Sequence, residues 1–472
     1  MRFGRIIIHY LSLSVVFLLV SVSYVTASGI KVHLTGSHDN DKVYLAVYQG
    51  TSIMLVDSVQ LNQGVGVIPS KNIKGPGLYK LYIDKDRHQD ILLGDDYDMS
   101  ITATAGDKLK INNVVGAKET VLFFQYESRL LDARNAMSSY RKQYTEFENN
   151  KDSVAAIRKR MNTLNERMKR FMQAQSSESN TLFYADFIKA AKSVGLPKSL
   201  YGNARKDTVL WSKQYNFMRN HFFDNIDFSN EGLVRSPILE RNLDKYMKDI
   251  LVPLPDSIGP ALLMVIEKSK KNEAVYKYVA NHLLTSSINS KIMGMDKVFV
   301  QIASQNQLRS GQTLLDSVNY KKVKDKVMAV MPVLVGAKAH NLSLQDSQDR
   351  DVSLYSQQGK YHVVVFWDPT CNHCKKVVPD LYQRAFTKYF GEGVDFMAVN
   401  TQQDVEKWSK FIKDQNIGQW INVYDKYGNS FMHHYYNITT TPKIYLLDHD
   451  MKIVAKDVGV DTLVDILDEK LN

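Results

Sequence analysis

The strongest constraint on this chain is the run Val363-Val364-Val365-Phe366-Trp367, which leads straight into Asp368-Pro369-Thr370-Cys371-Asn372-His373-Cys374. An apolar, β-branched run without polar alternation reads as a strand buried on both faces, as in a parallel sheet. The polar turn after it opens a helix, so a Cys-x-x-Cys pair stands at a strand-to-helix turn. Cys371 leads the helix, where unpaired N–H groups and the helix dipole favour a thiolate. Cys374 lies one turn further in and is the less exposed. These are the only 2 cysteines of the chain. A structural zinc site needs four ligands at recognisable spacing, and neither His373 nor His433-His434 completes one. Haem attachment requires His after the second cysteine, where Lys375 stands. A stabilising disulfide gains more from closing a longer loop. The pair therefore reads as a redox dithiol that needs no metal or cofactor.

Other landmarks follow in a fixed order. Phe366-Trp367 precedes the motif, Pro379 lies five residues past Cys374, Thr440-Thr441-Pro442 precedes the apolar run Ile444 to Leu447, and Gly459 stands before the last helical stretch. In this order and spacing the C-terminal third resembles the thioredoxin superfamily, and within it the TlpA-like periplasmic thiol-disulfide oxidoreductases of Bacteroidetes type. The resemblance implies an α/β thioredoxin-like fold and disulfide exchange through Cys371 as nucleophile and Cys374 as resolving thiol. It further implies a cis Pro442 that, with Thr441 and Trp367, shapes the site and docks the substrate, while His373 tunes the thiolate. The implied partners are disulfide-containing envelope proteins, plus a membrane thiol donor if the protein is a reductant. Two positions depart from the pattern: Val365 and Val377 stand where relatives often carry an acid. His373 resembles the oxidant and isomerase forms of the motif. The family likeness as a whole favours a reductant or isomerase. A peroxiredoxin would need Pro at 364 and Thr or Ser at 368, where this chain has Val364 and Asp368.

The compartment is read from the first residues. Arg2 and Arg5 precede a largely apolar stretch from Ile6 to Val22, and Val25-Thr26-Ala27 supplies small residues for cleavage. Residues 1–27 are expected to be a signal peptide, which places the chain in the periplasm or cell envelope. The net charge of +10 is spread among acids without a long cationic block, which does not point to a nucleic-acid partner.

Between these ends, residues 30–115 alternate short β-branched runs with turns such as Asn62-Gln63-Gly64, the pattern of an all-β sandwich. After Gly116 the period lengthens. Leu122, Tyr126, Leu130, Ala133, Met137, Tyr140, Tyr144 and Phe147 form one helical stripe. Val154 to Phe171 forms a second, with Asp152 as its expected cap, so the two make an antiparallel hairpin. Further helices, one capped by Ser236 ahead of Pro237, complete an all-α domain over 117–330. The aromatic-rich turn His221 to Phe228 is expected to pack between helices. Both domains resemble uncharacterised domains of the same envelope proteins. Met331-Pro332 marks the boundary to the thioredoxin-like domain, 333–472. An alternative function is an envelope binding or scaffold protein, in which the first two domains hold a partner and redox activity is secondary.

Overall fold

The computed structural model describes residues 28–36, 41–308 and 315–471, so the expected signal peptide lies outside the described residues. The chain divides into two compact units. The first runs to residue 125 apart from 47–54 and 76–78; the second holds those two segments and everything from 126 onward.

The N-terminal β region comprises β1 (Gly29–Thr35), β2 (Lys42–Gln49), β3 (Ser52–Gln60), β4 (Val65–Pro69), β5 (Gly77–Tyr82), β6 (His88–Leu93), β7 (Met99–Ala105) and β8 (Leu109–Val115). They form two four-stranded sheets, ordered β4-β1-β7-β8 and β3-β2-β5-β6. Period-two alternation buries Ile30, Val32 and Leu34 of β1 and Met99, Ile101 and Ala103 of β7. β1 and β7 pair in parallel, while β1–β4 and β7–β8 are antiparallel. Strand β4 is not expected from the sequence, because Gly66 and Pro69 weaken its signal. It forms as an edge strand, where a proline is tolerated.

The helical region opens with Lys118–Glu146 and Lys151–Glu178. Arg158 donates to the Tyr144 hydroxyl at 2.7 Å, and the Arg129 guanidinium lies 5.3 Å from the Phe171 ring centre. These contacts join the end of one helix to the start of the next and run back along both, as an antiparallel hairpin requires. The cap is Asn150, whose side chain accepts from the Ser153 N–H, and not Asp152. Ser236 does not cap its helix either. Its hydroxyl donates to the Leu233 carbonyl, although Pro237 holds the first helical position as expected. Phe222 and Phe223 are buried against Tyr246 and Phe228 against Phe223, so the aromatic turn is core. A helix at Ser317–Val330 goes unanticipated because its lysines mask a buried face of only Val327 and Val330; Asp316 caps it.

The C-terminal region is a seven-stranded sheet. Its strands are β9 (Ser343–Gln345), β10 (Asp351–Ser353), β11 (Tyr361–Trp367), β12 (Val394–Asn400), β13 (Ile421–Tyr424), β14 (Lys443–Asp448) and β15 (Ile453–Lys456). The order is β10-β9-β13-β12-β11-β14-β15. β11–β12 and β12–β13 are parallel; β11–β14 and β14–β15 are antiparallel. β13, short and interrupted by Asn422, is not anticipated from the sequence. Each face of the sheet carries its own core. Val363, Val365 and Trp367 enter one with Trp408 and Leu463, and Val364 and Phe366 enter the other with Tyr436 and Tyr445.

From residue 126 onward the helical and α/β regions, expected as two domains, lie in one compact unit. Asp296 of the helical region and Lys456 of β15 form an ion pair whose side chains are only 13% and 9% exposed. Such a pair contributes registry more surely than net stability. Both C-terminal cores, by contrast, draw all their residues from 333–471. Residues 333–472 alone are therefore expected to unfold in urea in one cooperative transition. Within that fragment, Leu463→Ala should cost about 2–5 kcal/mol, read as a lower midpoint at unchanged slope.

Candidate active site

The site is built where β11 ends. Trp367 pairs with Asn400, and the next residue of that strand's exit, Thr401, donates both its N–H (2.8 Å) and its hydroxyl (3.1 Å) to the Trp367 carbonyl. The chain then turns. Asp368 Oδ1 accepts from the Thr370 N–H and hydroxyl, each at 2.6 Å, and the Asp368 carbonyl accepts from the Cys371 N–H at 3.2 Å. This is the local side-chain-to-backbone bonding that makes Asp a turn residue.

The regular helix spans Cys374–Leu381, so it begins at the second cysteine rather than at Cys371. Cys371 sits at its mouth, with its carbonyl accepting from the Lys375 N–H at 3.1 Å. The Cys374 N–H points at the Cys371 sulfur at 3.5 Å, and the same sulfur lies 3.5 Å from the Thr441 carbonyl. Both cysteines are free thiols; Cys371 is half-buried and Cys374 fully buried. The Thr441–Pro442 peptide is cis, as expected, and both residues are half-buried. Pro379 lies inside the helix.

Environment separates the two thiols. For Cys371, burial raises the pKa, but the Cys374 N–H, the Cys374 thiol, the Thr441 side chain and the His373 main-chain N–H outweigh it and hold the pKa below the ordinary thiol value. Cys374 is pushed up to about 11, chiefly by burial, with the Asp368 backbone and Thr441 side chain only partly offsetting it. No carboxylate enters this environment from position 365 or 377. Val365 is buried in the core that holds Cys374, and Val377 packs against that core.

Trp367 is fully buried, its ring 4.9 Å from that of Phe411, and offers no exposed surface to a docking partner. It shapes the site from beneath. The His373 side chain is exposed. Sequence reasoning missed Thr401, the brace on the end of β11, and Lys443. Lys443 is a charged residue at the start of an otherwise apolar strand, a visible signal that went unused. Its buried Nζ bonds the Asn437 carbonyl at 2.7 Å and pairs with Asp457 at 3.3 Å. Among the described residues no group of three or more His, Cys, Asp or Glu is placed to hold a metal.

A parallel-stranded core delivering a half-buried, thiolate-favouring cysteine above a buried partner thiol, beside a cis-proline loop, defines a thioredoxin-like thiol-disulfide oxidoreductase. Residues 334–471 match the Redoxin family, and the C-terminal part of this chain is a Redoxin domain. The thiol-disulfide oxidoreductase ResA of Bacillus cereus is 26% identical over 128 residues, covering 27% of this chain and 72% of that protein. A thioredoxin-like protein from Bacteroides caccae matches in structure with a TM-score of 0.48 and 18% identity, over 59% of this chain and 98% of that one. A domain of a possible thiol-disulfide isomerase from Cytophaga hutchinsonii is 36% identical, with a TM-score of 0.29, over 30% of this chain and 95% of that one.

Two thiols this different should titrate apart. Thiolate absorbance against pH should show Cys371 ionising at lower pH than an ordinary thiol, with Cys374 protonated until near pH 11. Alkylation of Cys371 should accelerate with pH and level off early, because the thiolate is the reacting form. His373→Pro removes a main-chain N–H that His373→Ala keeps. If the N–H is the effective donor, only the proline variant should raise the Cys371 pKa; an equal rise in both would assign the effect to the ring.

Proposed function

We propose that this protein is an exported thiol-disulfide oxidoreductase that reduces or isomerises disulfides of envelope proteins. The observation that carries the reading is the asymmetry of the pair: a half-buried Cys371 whose surroundings favour thiolate, over a fully buried Cys374 held as thiol. Cys371 thiolate attacks one sulfur of the partner disulfide, forming a mixed disulfide and releasing the other sulfur as thiolate. Cys374 then loses its proton to that thiolate or to water and attacks the Cys371 sulfur. The partner leaves as a dithiol, and the 371–374 disulfide holds the two electron equivalents of oxidation. For a reductant, a membrane thiol donor returns the pair to dithiol; for an isomerase, the partner's own second thiol resolves the intermediate.

The Thr441 carbonyl lies 3.5 Å from the Cys371 sulfur, and Thr441 and Pro442 are the docking edge in this reading, where main-chain hydrogen bonds would hold an extended partner segment. The high Cys374 pKa suits an isomerase, since a slow resolving thiol leaves time for rearrangement. The export half of the reading rests on Arg2, Arg5, the apolar stretch Ile6 to Val22 and the small residues ending at Ala27.

Cys374→Ser should accumulate mixed disulfides between Cys371 and envelope proteins, resolved by diagonal electrophoresis, and Cys371→Ser should accumulate none. Deleting residues 2–27 should leave the protein in the cytoplasm and abolish the trapped species. A Cys374→Ser protein that captures nothing in the envelope would refute the assignment.

A further inference from the structure

The end of the sheet at which β11 finishes carries more than the dithiol. β15 runs antiparallel to β14, so its end comes level with the start of β14, directly after Pro442. Lys443 links the two places: it follows the proline, and its Nζ contacts Asn437 and Asp457. Asn437 and Asp457 in turn line a cleft of about 530 Å³, whose other wall is the connection between the helices Glu273–Ile288 and Met295–Ile302. The cleft thus lies at the same end of the sheet as the cis-proline loop, joined to it through Lys443, and the helical region supplies its far side.

Its chemistry is specific. Ile292 and Met293, on the helical wall, are 37% and 41% exposed. Lys456 is matched by Asp296, and Lys443 by Asp457. Lys291 and Lys326 also line the cleft, are exposed, and have no acidic partner among the described residues. The buried Asp296–Lys456 pair fixes the two walls together. A solvated cationic surface needs no enclosing walls and no exposed methionine; this one has both, at the end of the sheet where β11 delivers the dithiol.

We propose that this cleft seats the polypeptide segment flanking the partner's disulfide, selecting an extended segment with apolar and acidic side chains. Met293 and Ile292 take the apolar groups, and Lys291 and Lys326 take the carboxylates. The proposal rests on the dithiol reading and adds to it a specificity surface supplied by the helical region. It also gives that region a part in the reaction without placing a reacting group on it.

The test uses the full-length reduced protein in single-turnover reactions with three probes: a glutathionylated cysteine peptide flanked by Leu and Glu, the same peptide with Lys for Glu, and hydroxyethyl disulfide. The Glu peptide should react faster than the Lys peptide, and the gap should narrow with salt. In the double variant Lys291→Glu/Lys326→Glu the Glu peptide should slow about tenfold and the Lys peptide should gain, with hydroxyethyl disulfide unchanged. Met293→Ser should slow both peptides and leave the small disulfide alone. Equal rates for the two peptides, or a double variant that keeps the wild-type ratio, would overturn the cleft assignment while the dithiol reading stands. Failure of the wild type to react with hydroxyethyl disulfide would overturn the dithiol reading itself.

Discussion

The site depends on how completely β11 is held. Its two edges are hydrogen-bonded, to β12 on one side and β14 on the other, and its two faces enter separate apolar cores. A strand restrained in all four directions has no register to slip, because a one-residue shift would exchange every buried side chain for its opposite. Trp367, the last residue of that strand, is buried completely and its carbonyl accepts two bonds from Thr401. The turn that follows is therefore launched from a fixed point, and the Cys371 sulfur reaches the mouth of the helix and the Thr441 carbonyl by geometry alone.

From that placement the division of labour between two chemically identical thiols follows. Three residues of separation carry one sulfur into the core and leave the other at the boundary. In the core, desolvation disfavours charge; at the helix mouth, main-chain N–H groups that lack helical acceptors find one in a thiolate. Positions 365 and 377 contribute no carboxylate. The valines at 365 and 377 make this a site tuned by backbone donors and burial, and a proton leaving Cys374 has water or the departing thiolate as its destination.

Much of this is legible in the sequence because it is written in rigid chemistry. An unbroken apolar run, a cysteine pair, and prolines at 379 and 442 each restrict the backbone strongly, and the structure places each where the pattern implies. The failures are equally physical. β4 contains a glycine and a proline that only an edge position excuses, and β13 is too short to show a period. Asn150 and Asp152 are both competent caps by type, and only the local turn decides between them. Trp367 reads as a candidate for the surface around the site, yet sheet alternation sends it to the Cys374 side of the core. A main-chain N–H, such as that of His373, carries no side-chain signature, so the sequence draws attention to the ring instead. Contacts between Asp296 and Lys456, 160 residues apart, lie beyond any local pattern.

The burial of Cys374 also decides how the protein ages under oxidative stress. Peroxide reaches a sulfur through its exposed thiolate, so the first oxidation to sulfenic acid falls on Cys371 and spares its neighbour. The sheltered thiol then lies close enough to condense with that sulfenic acid, expelling water and yielding the same disulfide the protein forms in ordinary turnover. Damage that would climb toward irreversible sulfinic acid on a solitary cysteine is thus converted into a normal state of the cycle, and any thiol that recharges the protein also repairs it.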